Sequence, residues 1–346
     1  MRPTFSIIAF TVLSGTGYGL WFLLGLGLAF EWPVCTAGQA AIPAEIALRV
    51  CEYPGVILYA LILGFVLVSA GLLSSLGHLG QPGRAWRAFS QWRSSWLSRE
   101  GVASVVTYVP AVLLMLIAYA FWFRPNDEAP MTLAPGVACV LGGALAILSA
   151  VTVVCTANIY ASLKPVRAWS HRSVVAIYLL LGLYGGALCL WLLASLPGAM
   201  GSATHERETP FVLAGIVGLA ALGFVLKLLY WRDIDQMPSI GAGVATGLDA
   251  LGTTRSFEQP HTEENYLTRE MGFVLARKHA SKLRSIALIA GFAVPGLFAG
   301  LALLMPGLRG IASWFACVFG LTGLFVERWL FFAQARHAVM GYYARN

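Results

Sequence analysis

Two titratable side chains, His78 and Glu100, bracket the stretch best suited to chemistry in this chain, HLGQPGRAWRAFSQWRSSWLSRE. The chain leaves one apolar run at the histidine and enters the next at the glutamate. Both groups are therefore expected at one membrane face, with an amphipathic segment between them. An imidazole makes or breaks a hydrogen bond near neutral pH, and a carboxyl at the water boundary exchanges protons. That pair suits a quinone, which exchanges two protons with every two electrons and needs a hydrogen-bonding group on a carbonyl oxygen. A plainer reading stands beside it. His78 caps the preceding helix, Glu100 complements the positive end of the following one, and Trp86, Trp92 and Trp96 anchor at the interface. Arg99 is the cation nearest to Glu100 in sequence.

The elements that must position these groups follow from composition. With 58% hydrophobic and 11% charged residues and a mean hydropathy of +0.74, the chain is far too apolar for a water-soluble globule. Apolar runs of roughly 20 residues, enough to cross the hydrocarbon core, fall near 5–30, 54–77, 101–123, 135–162, 173–197, 210–231, 285–306 and 310–334. Lipid leaves no partner for an open backbone, so the expectation is an all-α membrane protein, a single domain of eight transmembrane helices. The first run is too long for a signal-peptide core and is read as a retained helix. Its Thr11, Ser14, Gly15, Thr16, Gly17 and Gly19 permit close helix contact, with a share in a ligand pocket as the second reading.

Eight spans put both termini on one side, together with loops 78–100, 163–172 and 232–284. Most Lys and Arg residues fall there, whereas the opposite loops hold only Arg49, Arg124, Arg207 and Arg309. The charge bias predicts cytoplasmic termini. The formal charge of +7 is thus a matter of topology, and no nucleic acid partner is implied. Loop 232–284 ends in a stretch in which Leu267, Met271, Val274 and Leu275 recur at helical spacing, as in an amphipathic helix. Its basic face either lies in headgroups or docks a partner. Cys35 and Cys51 share a loop on the non-cytoplasmic side, where a disulfide is permitted.

Cofactor chemistry is constrained as well. The histidines lie in loops or at span ends, not in pairs within spans as a b-type haem requires, so no haem is expected. The six cysteines form no CxxC and no Cys/His cluster, which supports neither an iron–sulfur cluster nor a metal site. Lys227, Glu327 and Arg328 are placed toward the ends of their spans, where long side chains reach the interface. The scarcity of deeper charge argues against a transporter.

The stretch from His78 to Gly101, with its His-Leu-Gly turn and Ser-x-Glu opening the next span, resembles the membrane anchor subunits of the dimethyl sulfoxide reductase type, among the eight-helix anchors related to polysulfide reductase. FTVLSGTGYGL and PHTEENYLTREMGFVLARKH are similar to the same branch. The resemblance implies an anchor without a cofactor of its own that binds ubiquinone or menaquinone. It also implies an iron–sulfur subunit with ferredoxin-like clusters and a molybdopterin catalytic subunit as partners. By motif, the quinone-site pair falls on His78 and Glu100, with Arg84 and Trp86 beside them. Arg84, Arg87, Arg277, Lys278 and Lys282 are read as a basic docking face for an acidic partner. The charge bias is similar to that of the branch whose soluble subunits stay inside a bacterial cytoplasmic membrane, which includes sulfite dehydrogenases that reduce quinone. A respiratory anchor that oxidises quinol is the alternative.

Overall fold

The computed structural model describes residues 4–37, 54–77, 79–122, 135–196, 205–238, 241–252, 254, 257–258 and 279–343. Every long element among them is a helix: α1 (Phe5–Ala37), α2 (Pro54–Leu76), α3 (Trp96–Trp122), α4 (Pro135–Ala161), α5 (Val174–Ala194) and α6 (His205–Asp235), the short α7 (Ala242–Thr246), then α8 (Ala280–Leu288), α9 (Val294–Leu304) and α10 (Arg309–Ala333). α8 and α9 are one span, joined by a π-helical turn over Ile289–Ala293. Pro295, which lacks a donor, follows that turn. The Tyr184 hydroxyl donates to the Gly291 carbonyl at 2.8 Å, within the same turn. Eight helices are long and apolar enough to cross a membrane, and the molecule is an all-α, multi-pass membrane bundle.

α1 and α5 form its centre. Each is 72% buried over its membrane-length window, against 28–44% for the other spans, and α1 packs on α2, α4, α5 and α10. Small residues make this possible: a Cβ on Gly186 would run into the backbone of Gly19 and Leu20, and one on Gly19 into the backbone of Gly182. The glycines of the first span thus bring helix backbones together, as expected of such residues in lipid, where close packing replaces the hydrophobic drive.

Two boundaries differ from the sequence reading in ways that bear on function. α3 begins at Trp96, not at residue 101, so Glu100 lies a full turn inside the helix. α6 runs on to Asp235, so Lys227 sits eight residues, or about 12 Å of helix rise, from its end. The amphipathic stretch around Leu267–Leu275 lies outside the described residues, as do Cys51 and the side chain of Cys35, and with them the proposed disulfide. Cys139, Cys155, Cys189 and Cys317 are free thiols.

Candidate functional site

Between α2 and α3 the chain forms a 3₁₀ helix over Pro82–Gln91, with proline at its start and no buried residue. Trp86 and Trp92 are 66% and 53% exposed, and guanidinium groups lie over their rings: Arg87 over Trp86 at 5.7 Å and Arg93 over Trp92 at 5.4 Å. Such amphipathic pairs suit a membrane boundary. The segment meets α3 through Phe89, whose ring would lie 3.2 Å from a Cβ placed on Gly101. A glycine beside Glu100 is therefore what lets Phe89 close down on α3.

Glu100 itself is 5% exposed. Helix-dipole stabilisation fades within the first turn, and Glu100 lies beyond it, so the capping role open in the sequence does not fit. Arg99 turns away, donating to the carbonyls of Trp92 at 3.1 Å and Arg93 at 2.7 Å and lying over Trp96. Among the described residues Glu100 makes no ion pair. Its side-chain partner is the hydroxyl of Thr156 on α4, which donates to Oε1 at 2.8 Å. Thr156 Oγ1 also lies 3.1 Å from the Thr152 carbonyl. A hydroxyl has one proton and accepts as readily as it donates. It therefore donates to an ionised Glu100, or accepts from a protonated one while turning to Thr152. The same geometry serves both states of the carboxyl, as a group that gains and loses a proton requires.

A polar seam between α3 and α4 fixes this arrangement. Thr107 and Thr152, both fully buried, meet at 3.3 Å one to two turns further in, and the Ser104 hydroxyl bonds back to the Glu100 carbonyl at 2.8 Å. Residues 100, 104 and 107 on α3 face 152 and 156 on α4 at helical spacing. Thr156 was not singled out from sequence, although its four-residue spacing from Thr152 inside an apolar run is the signal that carries it.

His78 lies outside the described residues, as do Arg277 and Lys278. Arg84, Arg87 and Lys282 are exposed, as docking residues must be. No hydrogen bond or ion pair joins Arg84 to Glu100 among the described residues, and Trp86 points its surface to the exterior. The structure does not gather these two around the carboxyl.

It gathers something else. Lys227, Glu327 and Arg328, read from sequence as interfacial, are 1%, 0% and 3% exposed and form one cluster inside the bundle. Glu327 forms an ion pair with Lys227 Nζ at 2.6 Å and accepts from Arg328 Nε and Nη2 at 2.5 and 2.8 Å. Lys227 lies over the rings of Tyr230 and Trp231, and Arg328 over those of Tyr178 and Phe331. Snorkelling fails because both helices continue past these residues and their charged heads face the protein. Ionisable groups at such depth mark functional interiors more often than scaffolding.

Comparison with known proteins identifies the family. The family described as DMSO reductase anchor subunit (DmsC) matches residues 1–226. A sulfite dehydrogenase subunit from Allochromatium vinosum is 30% identical, with 99% of either chain covered.

Proposed function

Because the chain belongs to the family of DMSO reductase anchor subunits, we propose that it exchanges electrons between membrane quinone and an iron–sulfur subunit, which connects it to a molybdopterin catalytic subunit. The observation that carries this reading is Glu100: a buried carboxyl with a single neutral hydroxyl partner among the described residues, built to serve in both protonation states. His78 supplies the hydrogen bond to a quinone oxygen, and Glu100 gives or takes the accompanying proton. Ubiquinone or menaquinone is the mobile substrate. The soluble subunits sit at the cytoplasmic face of the inner membrane, on the side carrying the 3₁₀ segment and both termini, in keeping with the excess of Lys and Arg there.

The relative named as part of a sulfite dehydrogenase supports electron flow into quinone, with sulfite oxidised by the catalytic partner. The family's own description, a reductase anchor, supports the opposite flow from quinol to an S- or N-oxide. Assaying the complete complex in both directions separates the two.

The site is tested by binding of a quinone-site inhibitor to membranes holding the whole complex, comparing wild type with His78→Ala and Glu100→Gln at matched anchor levels. The expected result is loss of binding and of quinone-coupled turnover in either variant, with the soluble subunits still attached. Normal binding and turnover in both would return the two residues to structural roles.

A further inference from the structure

One cavity lies behind the Glu100 site, between α1, α4, α5 and α10, and its walls include Thr16, Tyr18, Thr156, Tyr178 and Arg328. It leaves about 20 Å³ for the centres of water molecules. One ordered water needs roughly 10–15 Å³ on that measure, so the space takes one or two waters and no quinone ring. Four of the residues that line it carry a buried polar atom whose hydrogen bonding is not completed with proper geometry among the described residues: Thr16 Oγ1, the hydroxyls of Tyr18 and Tyr178, which have Ser104 and Arg328 as neighbours, and Arg328 Nη1. Buried polar groups left bare are destabilising, and native interiors satisfy nearly all of them with protein or ordered water. Four such residues around one small space make it a candidate water site.

Two contacts make the site more than filler. Thr156, on the cavity wall, is the residue that holds Glu100. Arg328, also on the cavity lining, belongs to the Lys227–Glu327–Arg328 cluster, which has two cations to one anion when all three are ionised. We propose that this cavity is the hydrated antechamber through which Glu100 exchanges protons, an inference that rests on Glu100 acting at the quinone.

When bound quinone takes up two electrons it takes up two protons. Glu100 gives one of them to a quinone oxygen and becomes a carboxylate. The Thr156 hydroxyl passes its proton to that carboxylate and takes one from the cavity water, which regains a proton from solvent. The net transfer is one proton from water to quinone. The excess positive charge at Arg328 stabilises the water while it is short of its proton. Quinol oxidation runs the same steps backwards.

The experiment uses the whole complex in membranes. Its iron–sulfur clusters are reduced with dithionite and their re-oxidation by decylubiquinone is followed in H₂O and in D₂O, for wild type, Thr16→Val, Thr16→Ser and Tyr178→Phe. Thr16→Val keeps the shape of the side chain and removes only its hydroxyl, and Tyr178→Phe does the same for the ring. The expected result is re-oxidation slowed by at least about 10-fold in both, with a larger H₂O/D₂O ratio, recovery in Thr16→Ser, and unchanged inhibitor binding. Wild-type rates and isotope ratios in both variants would overturn the antechamber. Loss of inhibitor binding together with the rate in Thr16→Val and Tyr178→Phe would also overturn it, since these residues would then hold the quinone itself. If instead Glu100→Gln re-oxidises normally and binds inhibitor, it is the quinone-site reading that falls.

Discussion

Two carboxyls in the same bundle meet opposite treatment. Among the described residues Glu100 receives one hydroxyl, whereas Glu327 receives three charge-assisted contacts from two cations. The first arrangement leaves the proton free to move, and the second fixes the charges. The difference is measurable as stability. Glu327→Gln leaves Lys227 and Arg328 buried without a counter-charge, and breaking a buried pair in this way costs about 3–5 kcal/mol. Lys227→Met leaves the bidentate Glu327–Arg328 pair intact and neutral, so its cost is smaller. Thermal unfolding of the purified protein, followed by thiol labelling of its buried cysteines, is expected to rank wild type above Lys227→Met and Lys227→Met above Glu327→Gln. The reverse order of the two variants would show that Lys227, not Glu327, holds the cluster together.

Helix α1 is the element on which the site depends. Its glycine-bearing face admits α5 at backbone contact, and Thr16 and Tyr18 reach the cavity from the same helix. Packing and cavity lining thus use different residues of that polar, glycine-rich run. Gly186→Val, which forces α5 off α1, is expected to cost at least the roughly 1–3 kcal/mol typical of overpacking and to lower the amount of anchor in membranes. Gly15→Ala is expected to be well tolerated, since a Cβ there meets no atom within 4 Å. Quantitative immunoblotting of membranes distinguishes the two.

The number and rough extent of the spans were legible because lipid demands about 20 apolar residues in a row. Helix starts were not. Trp96–Glu100 reads as polar loop by hydropathy, yet its backbone is already helical, and that one-turn difference moves Glu100 from a cap to an interior group. The charged cluster was hidden for a related reason. Hydropathy places Lys227 and Glu327 along their own helices and says nothing of a partner on a helix far away in sequence.

For the molecule as a whole, the buried cluster removes one argument against a transporter, namely the scarcity of interior charge. Family membership decides that question instead. An anchor must also present a face to its partners. Arg84, Arg87 and Lys282 are exposed, and Arg84 and Arg87 lie in the 3₁₀ segment that leads to Glu100, so docking there would bring the iron–sulfur partner near the quinone. Reversing the charge at all three positions is expected to release the soluble subunits into the supernatant of a moderate salt wash while the anchor stays in the membrane. Retention of both subunits after the wash would place the docking face elsewhere.

The central claim, that quinone reacts beside Glu100, is tested most directly by photo-crosslinking. A photoreactive ubiquinone analogue is bound to the complete complex in membranes, irradiated, and the labelled peptides are mapped. The account predicts label within residues 78–101 and on the C-terminal turns of α4 around Thr156, competed away by unlabelled quinone and absent in Glu100→Gln. Competed label confined to other spans, with these peptides clean, would contradict it.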